Sequence, residues 1–302
     1  MQTKDSITFS SSIALTLANY VELTKPKVVL LLVFTAIVGM LLASDNYLQL
    51  QVLLFGSLGI GLSAASGAVI NHIYDLRIDS KMSRTSNRPL PTGKISEEKA
   101  LIFAFFLGSI GIFTLIFFIN FLTAVLTFLS LIGYAVIYTI YLKRSTSQNI
   151  VIGGAAGATP PILGWAAVHN EISFFSLILF FIIFMWTPPH FWSLAIARKD
   201  DYEKADIPML PVTHGIDVTK NYIIIYTILL FIVTLLPYIL QMSGELYLIG
   251  SILLGLGFIF YVVKLKYNNY LAMEVFIYSI NYLIALFSFL LVDHYILLIL
   301  PY

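Results

Sequence analysis

Residues 51–79 read QVLLFGSLGIGLSAASGAVINHIYDLRID. The part from 51 to 72 carries no Lys, Arg, Asp or Glu. At about 1.5 Å per residue it is long enough to cross a hydrocarbon core of roughly 30 Å. Where that run ends, Asn71, Asp75 and Asp79 follow one another at intervals of four. Each step of four turns an α-helix by about 400°, so the three polar groups drift by only about 80° and share a face. Carboxylate and amide oxygens in a cluster suit Mg²⁺, which completes its shell with water and substrate phosphate oxygens. Lys81, Arg84 and Arg88 come next, and such side chains hold the rest of a phosphate or diphosphate. The bland alternative is a solvated loop after a hydrophobic run, a spacing that chance alone can produce. Set against it is the recurrence of acids and bases later in the chain.

Working outward, the 302 residues are 59% hydrophobic and 11% charged, with a mean hydropathy of +0.91. Soluble domains carry about 25% charge, so this is an all-α integral membrane protein with no polar stretch large enough for a separate core. The absence of cysteine excludes disulfides and thiolate chemistry. The first 25 residues carry no strong secretory or transit signature. Spans of bilayer length are expected at 27–44, 51–72, 100–119, 121–142, 150–168, 172–196, 222–241, 246–264 and 273–292. The stretch from Tyr295 to Tyr302 is too short to cross.

Nine spans with the N-terminus inside place all 17 Lys and Arg residues on one side, from Lys4 to Lys266. Asp45, Glu171, Glu245 and Asp293 fall on the other. This bias orients the bundle with a cytoplasmic N-terminus and an external C-terminus. Two inner loops, 73–99 and 197–221, are long and rich in both signs of charge. They follow the second and sixth spans, so 1–302 reads as one domain of two pseudo-repeated four-helix units plus a ninth helix. The second loop carries Arg198, Lys199, Asp200, Asp201, Lys204, Asp206 and Lys220. Read blandly it is a soluble connector; read functionally it is a second metal arm facing the first.

Thr159-Pro160-Pro161 and Thr187-Pro188-Pro189-His190 interrupt spans. Proline there frees backbone carbonyls and kinks the helix, and lipid tolerates free carbonyls only where they are buried or line a cavity. A widened interior pocket is therefore expected below the charged mouth. Gly153-Gly154-Ala155-Ala156-Gly157-Ala158 predicts close helix packing, and without a strand–loop–Lys context it is no phosphate loop. His72 and His190 lie near the inner ends of their spans. Such a histidine is usually a satisfied hydrogen-bonding group, yet intramembrane ionisable groups are functional candidates and imidazole is a common haem ligand. Tyr134, Tyr138 and Tyr141 form a stripe, read as an interfacial belt in preference to a π wall for a carbocation.

The first segment, with its continuation NHIYDLRIDSKMSRTSNRPLPTG, resembles the aspartate-rich signature of the UbiA-type intramembrane prenyltransferases, in the form found among their haem-farnesylating members. YLKRSTSQNIVIGGAAGATPPILGW (141–165) and WTPPHFWSLAIARKDDYEKADIPMLPVTHG (186–215) carry the same likeness. The resemblance implies nine transmembrane helices around a central cavity capped by the two charged loops. It implies Mg²⁺ as cofactor, held by Asn71, Asp75, Asp79 and Asp201, the three aspartates being catalytic. Substrate-binding roles fall to Asn71, Lys81, Arg84, Arg88, Lys143, Arg144, Arg198, Lys199 and His190. The implied donor is farnesyl diphosphate and the implied acceptor haem B, in a prokaryotic plasma membrane, with the product passing to a haem-modifying or terminal-oxidase partner. One departure stands out: the superfamily's second loop carries two aspartates spaced by four, whereas here Ala197 and Ala205 flank Asp201 at that spacing. Asp200 or Asp206 is left to compensate. The alternatives are a quinone-pathway aromatic prenyltransferase and, from another class, a two-repeat transporter.

Overall fold

The computed structural model describes residues 14–44 and 48–299, and among these there are helices, turns and no strand. Lys4 and Asp45, which enter the charge count, lie outside the described residues. Eight helices are long and apolar enough to cross a membrane: α3 (Val52–Tyr74), α4 (Glu97–Phe118), α5 (Phe121–Ser145), α6 (Asn149–His169), α7 (Phe174–Ala197), α8 (Ile216–Ile239), α9 (Glu245–Tyr267) and α10 (Asn269–Ile299). A ninth is supplied by α2 (Pro26–Leu42) together with α1 (Ala14–Leu23), a pair bent by 55°. Each expected span thus has its helix. The helix α1 was not expected from its mixed Ser/Thr-rich sequence, and α10 continues past Tyr295, so the last apolar stretch extends a span that has already crossed.

Small residues set how closely the helices approach. On α2, a Cβ at Gly39 would overlap the Pro161 backbone, and one at Gly164 of α6 would overlap the Ala36 carbonyl. Between α3 and α4, a Cβ at Gly59 would come 2.6 Å from Leu115 and one at Gly111 2.6 Å from Ser63. This is packing by backbone proximity, which lipid-embedded helices need because apolar burial alone does not drive their association. The glycine-rich start of α6 follows the same rule: Gly153 lies against Tyr138 and Gly154 against Thr187, while Gly157 faces open space. The second half of the chain, α7 to α10, builds the larger core, with Trp192, Tyr247, Phe258, Tyr282 and Phe287 fully buried. Large apolar side chains such as Phe105, Phe117 and Leu253 stay exposed on the outside, as expected of a lipid-facing surface.

Two irregularities position the site. The end of α5, Gly133–Leu142, is a wide π-helical stretch of the kind often found at functional sites. The α6 helix is broken at Thr159, between Asn149–Ala158 and Pro160–His169. The proline pair in α7 leaves that helix continuous. Thr159 and its neighbours border an apolar groove of about 450 Å³ between α5, α6 and α7; Pro188 and Pro189 do not line it. The expectation that both pairs open one pocket thus holds for the first pair alone.

Candidate functional site

The helix α3 ends at Tyr74, and Asp75 caps it before a single further turn, Leu76–Asp79. The backbone ladder continues across the joint, Asp75 N–H donating to Asn71 and Asp79 N–H to Asp75. The interval of four therefore survives, and Asn71, Asp75 and Asp79 are all about 3% exposed.

Each of these groups meets a cation. Lys143 Nζ lies 2.5 Å from Asp75 Oδ2, and Arg88 Nη1 2.7 Å from Asp79 Oδ2. Lys25 Nζ donates to Asn71 Oδ1 at 2.5 Å. The amide is oriented by the π-helical stretch of α5. Thr139 Oγ1 gives its only proton to the Tyr134 carbonyl, 2.9 Å away, so it must accept from Asn71 Nδ2 at 3.2 Å. The Asn71 oxygen is thereby turned toward Lys25 and the acids. Asp75 Oδ1 is buried and has no hydrogen-bond partner.

The two inner loops come together. Ser83 Oγ donates to Asp201 Oδ1 at 3.1 Å, and Lys81 Nζ sits 3.6 Å from Asp206 Oδ2. Apolar anchors fasten the first loop: Met82, Leu90 and Ile95 are buried. In the second loop Tyr202 is buried on the short helix Lys199–Lys204. Burial pushes its phenol up, and the charges of Arg84, Asp201, Asp75 and Arg198 all act on it. Arg84, Asp201, Arg198 and Asp75 are therefore gathered around one ring. Arg144 turns away and donates to the Tyr74 carbonyl at 2.9 Å. Lys199 is half-buried at the start of the short helix. His190 lies deeper in α7, stacked between Trp186 and Phe276.

Sequence reasoning missed Lys25, Thr139, Ser83 and Tyr202. The signal for Lys25 was in the chain: it directly precedes Pro26, and its backbone is left-handed at φ 50°. Proline normally drives its predecessor to extended geometry, so the conformation is strained in the way functional residues often are. Burial lowers the Lys25 ammonium to about 7, with Arg88 and Lys143 adding to the effect. A cavity of about 420 Å³ opens beside it, lined among others by Val21, Glu22, His72 and Arg88.

The donor set fits Mg²⁺. Asp75 offers a buried oxygen without a partner, and the Asn71 oxygen points the same way. Among the described residues no three His, Asp or Glu side chains form a cage of their own. A hard cation that shares its shell with substrate phosphates needs only one or two carboxylates.

An intramembrane helical bundle with an amide–aspartate row opposite a basic loop is the architecture of intramembrane prenyl transfer. The UbiA prenyltransferase family profile matches residues 32–291, and the chain belongs to that family. Among its relatives, the protoheme IX farnesyltransferase of Shewanella denitrificans is 57% identical over 289 residues, covering 95% of this chain and 96% of the relative. That of Thioalkalivibrio sulfidiphilus is 54% identical over 292 residues, covering 96% and 97%. The fold is similar to a solved digeranylgeranylglyceryl phosphate synthase structure, with TM-score 0.76, 23% identity and coverage of 92% and 98%. It is also similar to a UbiA homologue from Archaeoglobus fulgidus bound to GPP and Mg²⁺, with TM-score 0.63, 18% identity and coverage of 90% and 99%.

Proposed function

We propose that this chain transfers the farnesyl group of farnesyl diphosphate to a vinyl group of haem B, with addition of water, giving haem O and diphosphate. The observation that carries this reading is the match to protoheme IX farnesyltransferases at 54–57% identity over nearly the whole of both chains. The buried Asn71, Asp75 and Asp79 row, faced by Lys25, Arg88 and Lys143, supplies the chemistry.

Mg²⁺ held by Asp75 and Asp79, with Asn71 and Asp201 nearby, would neutralise the charge that develops on the departing diphosphate. The residues of the chain do the rest. Lys143 and Arg88, now paired with Asp75 and Asp79, turn to the diphosphate when those carboxylates take the cation. Lys25 adds a third positive group on the Asn71 side. Lys81, Arg84, Arg198 and Lys199 line the mouth between the two loops and draw the anionic end inward. Breaking the allylic C–O bond leaves a farnesyl cation in a cavity from which water is excluded. The terminal vinyl carbon of haem B captures it, and the positive charge passes to the carbon next to the porphyrin. Water adds there and loses a proton. No protein nucleophile is needed, and the dominant effect is electrostatic stabilisation of the leaving group.

The Lys/Arg bias places the two loops on the cytoplasmic face of a prokaryotic plasma membrane, where farnesyl diphosphate, haem B and Mg²⁺ are supplied. The test is the set of haems extracted after membranes containing the chain are incubated with haem B, farnesyl diphosphate and Mg²⁺. Haem O formed only in the presence of all three is the expected result. A prenylated aromatic acid formed in its place would overturn the reading in favour of quinone-pathway chemistry.

A further inference from the structure

Of the five histidines, His190 is held in a way the others are not. Its Nδ1 lies 2.6 Å from Ser279 Oγ, and the same hydroxyl donates to the Phe276 carbonyl at 2.6 Å. A serine hydroxyl has one proton. Because that proton is given to Phe276, Ser279 Oγ must accept from His190, so Nδ1 carries the imidazole hydrogen. The lone pair is then on Nε2, and no hydrogen bond engages it among the described residues.

The ring cannot swing to undo this. Trp186 stacks on one face with centroids 4.2 Å apart, and Phe276 on the other at 4.5 Å, both within 26° of parallel. Trp186 is fixed in turn by its indole N–H, which donates to the Ser279 carbonyl at 2.7 Å. An imidazole oriented through its N–H, with the other nitrogen left bare, is the arrangement seen at metal-ligating histidines.

The other four differ. His169 and His294 place Nε2 on the carbonyls of Ala43 and Ser44, at the opposite end of the bundle. His214 is exposed in the second loop beside Thr213. His72 is 1% exposed and has neither nitrogen hydrogen-bonded, but it lies 3.8 Å from Asp79, inside the diphosphate site.

We propose that His190 Nε2 is an axial ligand of the haem iron while the vinyl group is alkylated. This rests on the reading that haem B is the acceptor. Imidazole is a common proximal ligand of haem iron. A single Fe–N bond fixes the position and tilt of the porphyrin plane but leaves it free to turn about the bond. His190 would therefore set how far the ring edge stands from the farnesyl cation, and other contacts would choose which vinyl group reacts.

The experiment is an optical and EPR titration of the purified full-length protein with ferric haem B, run alongside steady-state haem O formation. Wild type is expected to show an imidazole-ligated iron signature. His190→Ala should lose it and raise KM for haem at least tenfold, with KM for farnesyl diphosphate unchanged. Added free imidazole should restore the signature and part of the activity. Ser279→Ala, which removes the Nδ1 acceptor but keeps the ligand, should weaken haem binding several-fold and retain the signature. It tests the same assignment if His190→Ala does not accumulate. A wild-type spectrum and haem KM in His190→Ala, or in Ser279→Ala where that is the variant obtained, overturns the assignment while leaving haem O synthesis intact. A wild-type protein that ligates haem through His190 yet makes no haem O would instead overturn the proposed reaction and support the ligand.

Discussion

The Lys143 ammonium lies 2.5 Å from the Asp75 carboxylate across a separation of 68 residues. Both side chains are nearly buried, at 12% and 4% exposure. A buried ion pair is weak evidence of stability, because desolvation offsets most of its attraction. What it offers here is exchange: a carboxylate that can turn to a divalent cation beside an ammonium that can turn to a phosphate. Asp75→Asn keeps the shape and removes the charge. Haem O formation should fall by about 10²-fold or more, the scale of losing one preorganised charge-stabilising group. Protein levels in the membrane should hold. Near-normal turnover of Asp75→Asn at saturating Mg²⁺ would contradict the metal role.

Lys25 gives the reaction a pH dependence. Its pKa is lowered to about 7, so the ammonium is largely protonated at pH 6 and largely neutral at pH 8. A diphosphate beside it favours the charged form, and binding then requires proton uptake once the pH exceeds 7. KM for farnesyl diphosphate should rise between pH 7 and 8.5, by up to about tenfold per unit if the neutral form does not bind. Arginine stays charged throughout, so Lys25→Arg should flatten that rise. Identical slopes for the two proteins would remove Lys25 from diphosphate binding.

The bundle was legible because hydropathy and helix length are local properties, and lipid demands that they be satisfied within each span. The row Asn71, Asp75, Asp79 was legible for the same reason, since periodicity along one helix can be read from its sequence. What could not be read is which partners arrive from elsewhere. Lys143 and Thr139 reach the row from α5 only because a π-helical stretch shifts their phase, and no residue type marks that stretch. Lys25 was visible as an unusual residue before proline but not as a neighbour of Asn71. Pro188 and Pro189 misled, because α7 absorbs them without a break.

Membrane orientation rests on the Lys/Arg asymmetry. Reporter fusions after Lys94, Arg144 and Arg198 should read cytoplasmic, and fusions near Asp45 and Glu171 external. An external signal at Arg198 would mean that one of the helices α2 to α7 does not cross.

The second loop separates two carboxylates that sequence left as rivals. Asp201 accepts from Ser83 at 3.1 and 3.3 Å, which ties it to the first loop and sets it beside Tyr202 among Arg84 and Arg198. Asp206 is 86% exposed, and its contact is an ion pair of 3.6 Å with the equally accessible Lys81. Exposed pairs of that kind contribute about 0–1 kcal/mol. Asp206 also sits at φ 55°, in a left-handed turn that aims its side chain away from the helical face of Asp201. Asp201→Ala should abolish haem O formation, whereas Asp206→Ala should retain activity at least several-fold better in membranes with matched protein levels. Ser83→Ala should fall between them, because it loosens Asp201 without removing its charge. Equal loss from both aspartate variants would mean that the loop closes further over the substrate and uses both carboxylates. Loss from Asp206→Ala alone would assign the second arm to Asp206 and leave Asp201 as a tether between the loops.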